Sequence, residues 1–362
     1  MLNISILGIT GDFEKNSQGS GARKYISEIY NNIKDSRPFG VNISKVELNN
    51  QILGIRTMPI FPSNLVNRYT NVDIIHNIRS NLLCAPFRSK KPIILNTAYE
   101  MTAITHPEFV AEDFLDIKMK IGSKAYLILH QMAEKAILNT DYLIAISTLT
   151  YNDLVDLGYN KDRIFIVPLG IDERFSIKKT RKKNKLFTVG YLGSLIRKKN
   201  LLFAINAFKL VEDPHIQMDV WGKKIHTGFY SKIEMAAASD KRIILHGFAP
   251  EEKIIDIYDS FDVLVYPVLR GGFELGIFEA QARGIPVIIY KKSEIPAEVK
   301  KYCLKAQNEE EMAALINKIK EDGYNESLKK KAMAYARSFT WKKTAKNTLN
   351  VYKRIAEREE IY

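Results

Sequence analysis

The chain has 362 residues, a length that exceeds one ordinary hydrophobic core and suits two domains. Hydrophobic residues make up 46% and charged residues 26%, which is typical of a folded globular protein. The formal net charge of +13 allows nucleic acid, an anionic membrane surface or a phosphorylated substrate as the partner. Because Cys84 and Cys303 are the only cysteines, neither a disulfide framework nor a cysteine zinc site is expected.

Residues 1–10 are apolar but lack a basic leader, so the sequence predicts a first buried strand instead of a signal peptide. No stretch approaches the roughly 20 apolar residues that a membrane span requires. We therefore expect a cytoplasmic protein. Peripheral association with an anionic membrane, at its inner face, stays open because of the basic charge.

The first half of the chain alternates short apolar runs with helical patterns. Strands are predicted at 4–9, 73–76, 92–96, 142–146 and 164–167, and helices at 22–33, 120–138 and 148–157. This alternation predicts a parallel sheet that helices cover on both faces.

A second series of the same kind follows the basic stretch 178–185, which we interpret as an interdomain linker. Strands are predicted at 186–192, 216–220, 243–245, 263–266 and 286–290, and helices at 201–210, 251–260 and around 278–283. The tail 333–359 is predicted to be helical with a break near 339–340. The fold class is therefore α/β, with two doubly wound domains at 1–172 and 173–340 and a last helix, 341–362, packed back on the first domain.

The segment 265–289 carries the most chemical information. It runs from a strand through a glycine-containing loop into a helix that ends at Gly284. Gly271 and Gly272 are predicted to present backbone N–H groups to an anion at the start of this helix, where the helix dipole favours negative charge. Glu279, one turn inside the helix, can accept hydrogen bonds from hydroxyl groups of the same ligand.

This segment resembles the donor-site signature of retaining glycosyltransferases of family four, written EGFGxxxxEAxAxGxPVI, and that family has the GT-B fold of two Rossmann-like domains across a cleft. The matching residues are Gly272, Phe273, Glu279, Ala280, Ala282, Gly284, Pro286 and Val287. Further resemblances follow in the family's order at 141–147, 163–175, 190–200 and 262–267.

The resemblance implies transfer of a sugar from a nucleoside diphosphate, UDP- or GDP-linked, to a hydroxyl acceptor on a glycan, lipid or protein. It implies retention of the anomeric configuration and no metal or other cofactor. Lys199 would contact the pyrophosphate, Gly272 would offer its amide to it, and Glu279 would bind the ribose hydroxyls. The other residues assigned to the donor site are Gly19, Gly21, Ser194, Arg197, Gly271, Phe273 and Leu275.

Three positions depart from the family pattern. The first glutamate of the signature falls on Gly271, with Glu274 nearby as a partial substitute. The family's arginine falls on Ser194, where Arg197 could compensate, and its active-site histidine falls on Tyr99. Tyr99 and Glu274 are therefore the candidate catalytic residues.

These departures leave other functions open. An unusual donor sugar, an altered site geometry or a catalytically weak sugar-nucleotide-binding protein would each fit them. A basic nucleic-acid-binding protein is the further alternative, but the chain has no recognised nucleic-acid motif, so nucleic acid is not the expected partner. His76, at the end of an apolar run, is expected to line the cleft or to cap its strand.

Overall fold

The computed structural model describes residues 1–9, 12–13, 21–48, 51–52, 55–56, 60–62, 72–78, 83–85, 92–111, 120–177, 186–224 and 228–361. Gly19 and the predicted linker 178–185 lie outside these residues. Backbone contacts divide the chain into two compact units. Unit 1 comprises Met1–Pro107, Tyr126–Gly170 and Thr340–Tyr362, and unit 2 comprises Glu108–Ala125 and Ile171–Phe339.

The strands, in chain order, are β1 (Leu2–Ile9), β2 (Val41–Leu48), β3 (Gln51–Ile52), β4 (Ile55–Arg56), β5 (Ile60–Pro62), β6 (Ile74–Asn77), β7 (Leu83–Ala85), β8 (Ile93–Ala98), β9 (Tyr142–Ala145), β10 (Ile164–Ile166), β11 (Phe187–Leu192), β12 (Ile216–Trp221), β13 (Ile243–Gly247), β14 (Val263–Tyr266), β15 (Val287–Tyr290) and β16 (Leu304–Ala306).

The helices, in the same order, are α1 (Gly21–Asp35), α2 (Thr102–Thr105), α3 (Pro107–Ala111), α4 (Lys120–Ile137), α5 (Thr148–Asp156), α6 (Leu201–Lys209), α7 (Gly228–Ala238), α8 (Ile254–Asp259), α9 (Leu275–Ala282), α10 (Ala297–Lys300), α11 (Glu309–Asp322), α12 (Glu326–Arg337) and α13 (Trp341–Arg358).

In the described part of unit 1, six strands form a parallel sheet in the order β10-β9-β8-β6-β1-β2. The order reverses between β1 and β6, which makes the sheet doubly wound. The side chains of β6 and β9 are buried throughout, as expected for central strands covered on both faces. Two short pairs, β3 with β4 and β5 with β7, lie outside this sheet.

Helix α13 packs against α1 in unit 1. The Thr340 side chain caps its first turn by accepting from the Lys343 amide. From α13, the Tyr352 hydroxyl meets Nδ1 of His76 at 2.7 Å, and Nε2 of His76 meets the Thr97 hydroxyl at 2.8 Å. His76 is fully buried, so the expectation that it lines a cleft or caps a strand is wrong. It links α13 to the sheet instead.

In unit 2 the described strands form a second parallel sheet in the order β13-β12-β11-β14-β15-β16, which reverses between β11 and β14. Its core combines Val189, Phe208, Met218 and Val265, all completely buried, with side chains of α6, α7 and α11. The predicted α/β class with two doubly wound, Rossmann-like sheets is confirmed.

A buried ion pair joins the ends of two helices in unit 2. Arg283, directly after α9, makes two bonds to the Asp259 carboxylate at 2.8 and 2.7 Å and also donates to the carbonyl oxygens of Phe175 and Ile177. Gly284 then adopts a positive φ of 76°, a conformation that costs glycine little, and ends α9 where the sequence predicted.

Several elements were missed by the sequence analysis, among them strand β2 and helices α7 and α11. Strand β2 lies at the sheet edge and is mostly exposed, so it lacks the continuous apolar run that marks the buried strands. Helix α11 does carry a helical signal, because Met312, Ile316 and Ile319 recur on its buried side. The predicted break in the C-terminal helical tail is confirmed between α12 and α13.

The buried His76 makes the stability of unit 1 dependent on pH. Burial lowers the pKa of His76 to about 3, whereas the unfolded chain titrates near the ordinary value of about 6.5. The unfolded state therefore binds more protons than the folded state below pH 6.5, and stability falls as the pH falls through that range.

We expect the free energy of unfolding to drop by about 1 kcal/mol between pH 7 and 5.5 through this group alone. Urea unfolding at both pH values measures the drop. A His76→Asn variant is the control, because the asparagine side chain supplies one hydrogen-bond donor and one acceptor. It should lose that part of the pH dependence. An identical pH dependence in both proteins would contradict the assignment.

Candidate functional site

The loops that follow β11 and β14 carry most of the residues predicted to bind a donor. Both strands end at the same edge of the parallel sheet, and β11 and β14 are the neighbours at which strand order reverses. Ligands of doubly wound sheets bind at this place because no crossover helix fills it. The first loop carries Ser194, Arg197 and Lys199, the second carries Gly271, Gly272 and Phe273, and α9 carries Leu275 and Glu279.

These two loops are hydrogen-bonded to each other. The Leu269 amide of the second loop donates to the Lys198 carbonyl of the first at 2.8 Å. The second loop is also held from its other side, since the Arg270 guanidinium donates to the Glu294 carboxylate at 2.5 Å. The Gly271 amide donates to the Glu294 carbonyl oxygen at 3.1 Å. The expectation that the Gly271 amide faces an anion is therefore wrong.

Lys199 and Glu274 form an ion pair at the centre of the site. The Lys199 Nζ donates to Glu274 Oε2 at 2.5 Å, and the two side chains are only 12% and 8% exposed. The Tyr266 hydroxyl, at the end of β14, donates to the same Oε2 at 2.7 Å. Burial, reinforced by the Glu274 charge, raises the pKa of Tyr266 well above its usual value. The phenol therefore keeps its proton and acts as a donor to the carboxylate.

Glu279 is oriented in a similar way by a second buried phenol. The Tyr258 hydroxyl, from α8, donates to Glu279 Oε2 at 2.9 Å. Burial, followed by the charge of Glu279, raises the pKa of Tyr258 well above its usual value. Glu279 itself is half-buried on the first turns of α9. Tyr258 thus fixes the orientation of the Glu279 carboxylate.

The two phenols meet at Gly276 in the first turn of α9. A Cβ atom placed on Gly276 would lie 3.2 Å from the Tyr258 hydroxyl oxygen and 3.4 Å from the Tyr266 ring. The small residue therefore lets the Tyr258 hydroxyl approach the helix closely, whereas the Tyr266 ring lies at ordinary van der Waals distance. The sequence analysis did not assign a site role to Tyr258 or Tyr266. A usable signal was the phenol group itself, because a buried tyrosine hydroxyl requires a hydrogen-bond partner.

The remaining predicted donor-site residues differ in their surroundings. Phe273 is buried and stacks on Phe278 with ring centroids 5.0 Å apart, so its ring packs under the second loop. Ser194 and Arg197 are exposed, and Leu275 is half-buried at the start of α9. The Ser194 carbonyl accepts from the Tyr191 hydroxyl at 2.9 Å, which fixes the start of the first loop.

Unit 1 carries the other candidate residues. Tyr99 directly follows β8, packs edge-on against the Tyr25 ring at 5.9 Å, and accepts a hydrogen bond from the Thr150 hydroxyl through its carbonyl oxygen. Gly21 is the first residue of α1. Each of these residues follows a strand of the first sheet, Gly21 after β1 and Tyr99 after β8.

Metal-binding and membrane-spanning features were also sought among the described residues. Within them, no group of three or more His, Cys, Asp or Glu side chains is placed to hold a metal ion. None of the helices in this part of the chain is both long enough and apolar enough to cross a bilayer.

Comparison with known proteins finds a family model that matches most of the second unit. Residues 172–339 match the model for glycosyl transferases group 1. An uncharacterised 41.2 kDa protein of the cps region of Klebsiella pneumoniae is 23% identical over 240 residues, which are 63% of each chain. O-antigen chain mannosyltransferase B of Escherichia coli is 22% identical over 288 residues, 74% of this chain and 71% of the relative.

A solved structure has a similar fold. The Anabaena protein HepE, crystallised in complex with UDP-glucose, superposes with a TM-score of 0.70 and covers 100% of both chains at 15% identity. At this level of identity the likeness establishes the fold.

The buried ion pair of Lys199 and Glu274 allows a prediction about stability that is independent of any ligand. Lys199→Met leaves the Glu274 charge buried without its cation, and we expect it to lower the free energy of unfolding by about 3 kcal/mol. Adding Glu274→Gln should recover a large part of that loss, since the uncompensated charge is then gone. Urea unfolding of both single variants and the double variant measures the coupling. Simple additivity of the two losses would mean that the side chains do not interact.

Proposed function

We propose that this chain, a GT-B glycosyltransferase whose residues 172–339 belong to glycosyl transferases group 1, transfers a sugar from a nucleoside diphosphate to a hydroxyl group. The observation that carries the proposal is the Lys199–Glu274 ion pair at the strand-order reversal of unit 2, directly before the helix that carries Glu279. A cation and two oriented carboxylates at one sheet edge suit a ligand that has both phosphate and hydroxyl groups.

In the proposed complex Lys199 binds the diphosphate. Its ammonium has three donors, so it can keep its bond to Glu274 while it donates to a phosphate oxygen. A fixed cation of this kind stabilises the negative charge that develops on the leaving diphosphate as the glycosidic bond breaks. The Gly272 amide lies on the same loop and serves as a second donor to the diphosphate.

Glu279 binds the ribose hydroxyls in this proposal. The Tyr258 phenol holds one carboxylate oxygen, so the orientation of the group is set before the nucleotide arrives. Such preorganisation reduces the entropy lost on binding. Hydrogen bonds from hydroxyls to a charged acceptor are stronger than those between neutral groups.

The class of donor is proposed from the relatives and the resemblance together. The Escherichia coli relative is described as a mannosyltransferase, and HepE was solved with UDP-glucose. We therefore propose a UDP- or GDP-linked hexose as the donor, with retention of its anomeric configuration and without a metal ion or further cofactor. The acceptor is proposed to be a hydroxyl of a glycan or a lipid-linked glycan, in a cytoplasmic setting.

Binding of nucleotides to purified protein tests the donor assignment. We expect calorimetry against UDP, GDP, ADP and their common sugar conjugates to show selective binding of one diphosphate. Glu279→Ala should weaken binding of that diphosphate about tenfold and binding of the matching nucleoside by a similar factor, since both ligands carry the ribose. Lys199→Ala should weaken binding of the diphosphate far more than binding of the nucleoside, because only the diphosphate presents charge to the ammonium.

Glu310→Gln, an exposed carboxylate on α11, is the matched control and should leave binding unchanged. Equal losses for nucleoside and diphosphate in Lys199→Ala would refute its role. Binding without transfer to any acceptor would favour the catalytically weak binder. Absence of nucleotide binding, together with tight and salt-sensitive binding of RNA or DNA, would replace the proposal by the nucleic-acid alternative.

Peripheral association with an anionic membrane is proposed from one face of α4. Ile128 and Met132 are 54% and 53% exposed, and Leu129 lies beside them at 44%. Lys124 and Lys135 flank this patch on the exposed surface of the same helix. Apolar side chains between lysines suit a surface of anionic lipid headgroups over acyl chains, which would bring the enzyme to a lipid-linked acceptor.

Vesicle sedimentation tests this surface. Wild-type protein should bind vesicles that contain phosphatidylglycerol and bind pure phosphatidylcholine vesicles much less. An Ile128→Glu/Met132→Glu variant should lose most of the anionic binding, because two carboxylates replace the apolar contact. Met235→Glu, at a methionine on α7 that is 75% exposed, is the control and should bind like the wild type. Equal loss in both variants would show that net charge alone drives the binding.

A further inference from the structure

We infer that unit 1 carries a protein-binding groove between the sheet edge at β10 and helix α13, and that this groove binds an extended acidic segment of a partner protein. The groove lies on a different unit from the candidate donor site, so the inference goes beyond the proposed function and does not depend on it. Its basis is the outer edge of a strand, two arginines beside that edge, and the charge that they leave unbalanced.

The groove has strand backbone along one side and a helix along the other. Residues 164–167 line the first side, and the enclosed volume is about 680 Å³. The helix side carries Asn347, Asn350, Arg354 and Arg358, which recur at intervals of three and four residues and therefore lie along one face of α13. The helix rises about 16 Å from the first of them to the last. About five residues of extended chain would span that length.

The outer edge of β10 can accept a further strand. Within the described residues β10 pairs with β9 alone. The Val167 amide donates to the Ala145 carbonyl oxygen beside β10 at 2.9 Å, and the backbone groups of successive residues point to alternate edges of a strand. The N–H and C=O groups of Ile166 therefore point away from β9. They are the groups with which an added strand would pair.

The two faces of the sheet differ in chemistry at this edge. Phe165 points toward α13, where the guanidinium groups of Arg354 and Arg358 lie 5.1 and 5.5 Å from the centre of its ring. Ile164 packs on the opposite face, in a core cluster with side chains of α5. Ile166 points to the same face as Ile164 and is 42% exposed. One face of the edge is thus cationic and the other is apolar.

The cations of the groove have no carboxylate partners. Among the described residues, Arg354, Arg358 and Lys161 line the groove without forming an ion pair, and Asp162 is the one acidic residue beside them. Arg358 donates to the backbone carbonyl oxygen of Asp162 at 2.5 Å, not to its carboxylate. Like charges four residues apart on a helix repel each other. Carboxylates of a ligand would relieve that repulsion and form charge-assisted hydrogen bonds.

The strand edge and the charge together identify the ligand. Cations alone would suit any anion, but the backbone of Ile166 calls for a ligand that has its own N–H and C=O groups at strand spacing. Successive side chains of an added strand point to opposite faces. Acidic residues would therefore meet Arg354 and Arg358, and the apolar residues between them would contact Ile166. A second copy of β10 does not fit, because it would bring the same cations together.

Fluorescence anisotropy on the full chain tests the groove with a labelled peptide of the sequence Glu-Val-Glu-Val-Glu. Wild-type protein should bind this peptide about tenfold more tightly than a labelled Lys-Val-Lys-Val-Lys peptide, since the latter repels the arginines. The acidic peptide N-methylated at its inner residues keeps every charge but loses main-chain donors. It should bind about tenfold more weakly than the unmodified peptide.

Variants of α13 test the cationic face. Arg354→Glu/Arg358→Glu should weaken binding of the acidic peptide about tenfold or more, because two carboxylates then face those of the ligand. Lys346→Glu/Lys353→Glu is the matched control, since both lysines are exposed on α13 outside the groove and the change in charge is the same. It should bind within about twofold of the wild type. Equal losses in the two variants would assign the binding to net charge and overturn the inference.

A further variant acts on the strand edge and leaves all charges in place. Ile166→Pro removes the outward amide, which β9 does not use, and proline is tolerated on an edge strand. We expect it to unfold in urea like the wild type and to bind the acidic peptide about fivefold more weakly. This variant tests the inference even where the double arginine variant fails to fold.

Other outcomes would also contradict the groove assignment. Unchanged affinity for the N-methylated peptide, or in Ile166→Pro, would exclude strand addition. Displacement of the peptide by an equal concentration of inorganic pyrophosphate would replace the peptide site by a site for small anions. Absence of peptide binding to the wild type would overturn the inference and leave the proposed function untouched, because nucleotide binding is measured separately.

Discussion

The reversal of strand order between β11 and β14 is the constraint on which the site of unit 2 depends. Because successive strands are added outward from both of these neighbours, their following loops leave the same sheet edge side by side. The backbone bond from Leu269 to Lys198 joins the two loops, and the Lys199–Glu274 ion pair forms directly beyond it. At this place a cation from one βα unit meets a carboxylate from another.

Burial of this ion pair has a cost that the surrounding residues offset. Removing two charges from water is unfavourable unless further hydrogen bonds satisfy them. Tyr266 supplies one such bond to Glu274, and Tyr258 does the same for Glu279. The phenols keep their protons because burial raises their pKa. The site therefore has two carboxylates whose positions are set without a ligand.

Aromatic side chains pack beneath the second loop, the one that follows β14. Phe273 stacks on Phe278, and Phe339, between α12 and α13, lies 4.6 Å from the Phe278 ring. Arg283 adds a buried bond network at the far end of α9. The helix that carries Glu279 is thus fixed at both ends, as precise placement of a ligand-binding carboxylate requires.

The sequence by itself determined the fold class, most strands and helices of the two sheets, the loop that carries Lys199 and the helix that carries Glu279. Buried parallel strands are continuous apolar runs, and motif residues keep a fixed order along the chain, so both are visible without coordinates. Tertiary structure alone decided that the Gly271 amide is bound to Glu294 and that Tyr258 orients Glu279. These contacts depend on which strands are neighbours and on the direction of individual side chains, and neither is encoded in local periodicity.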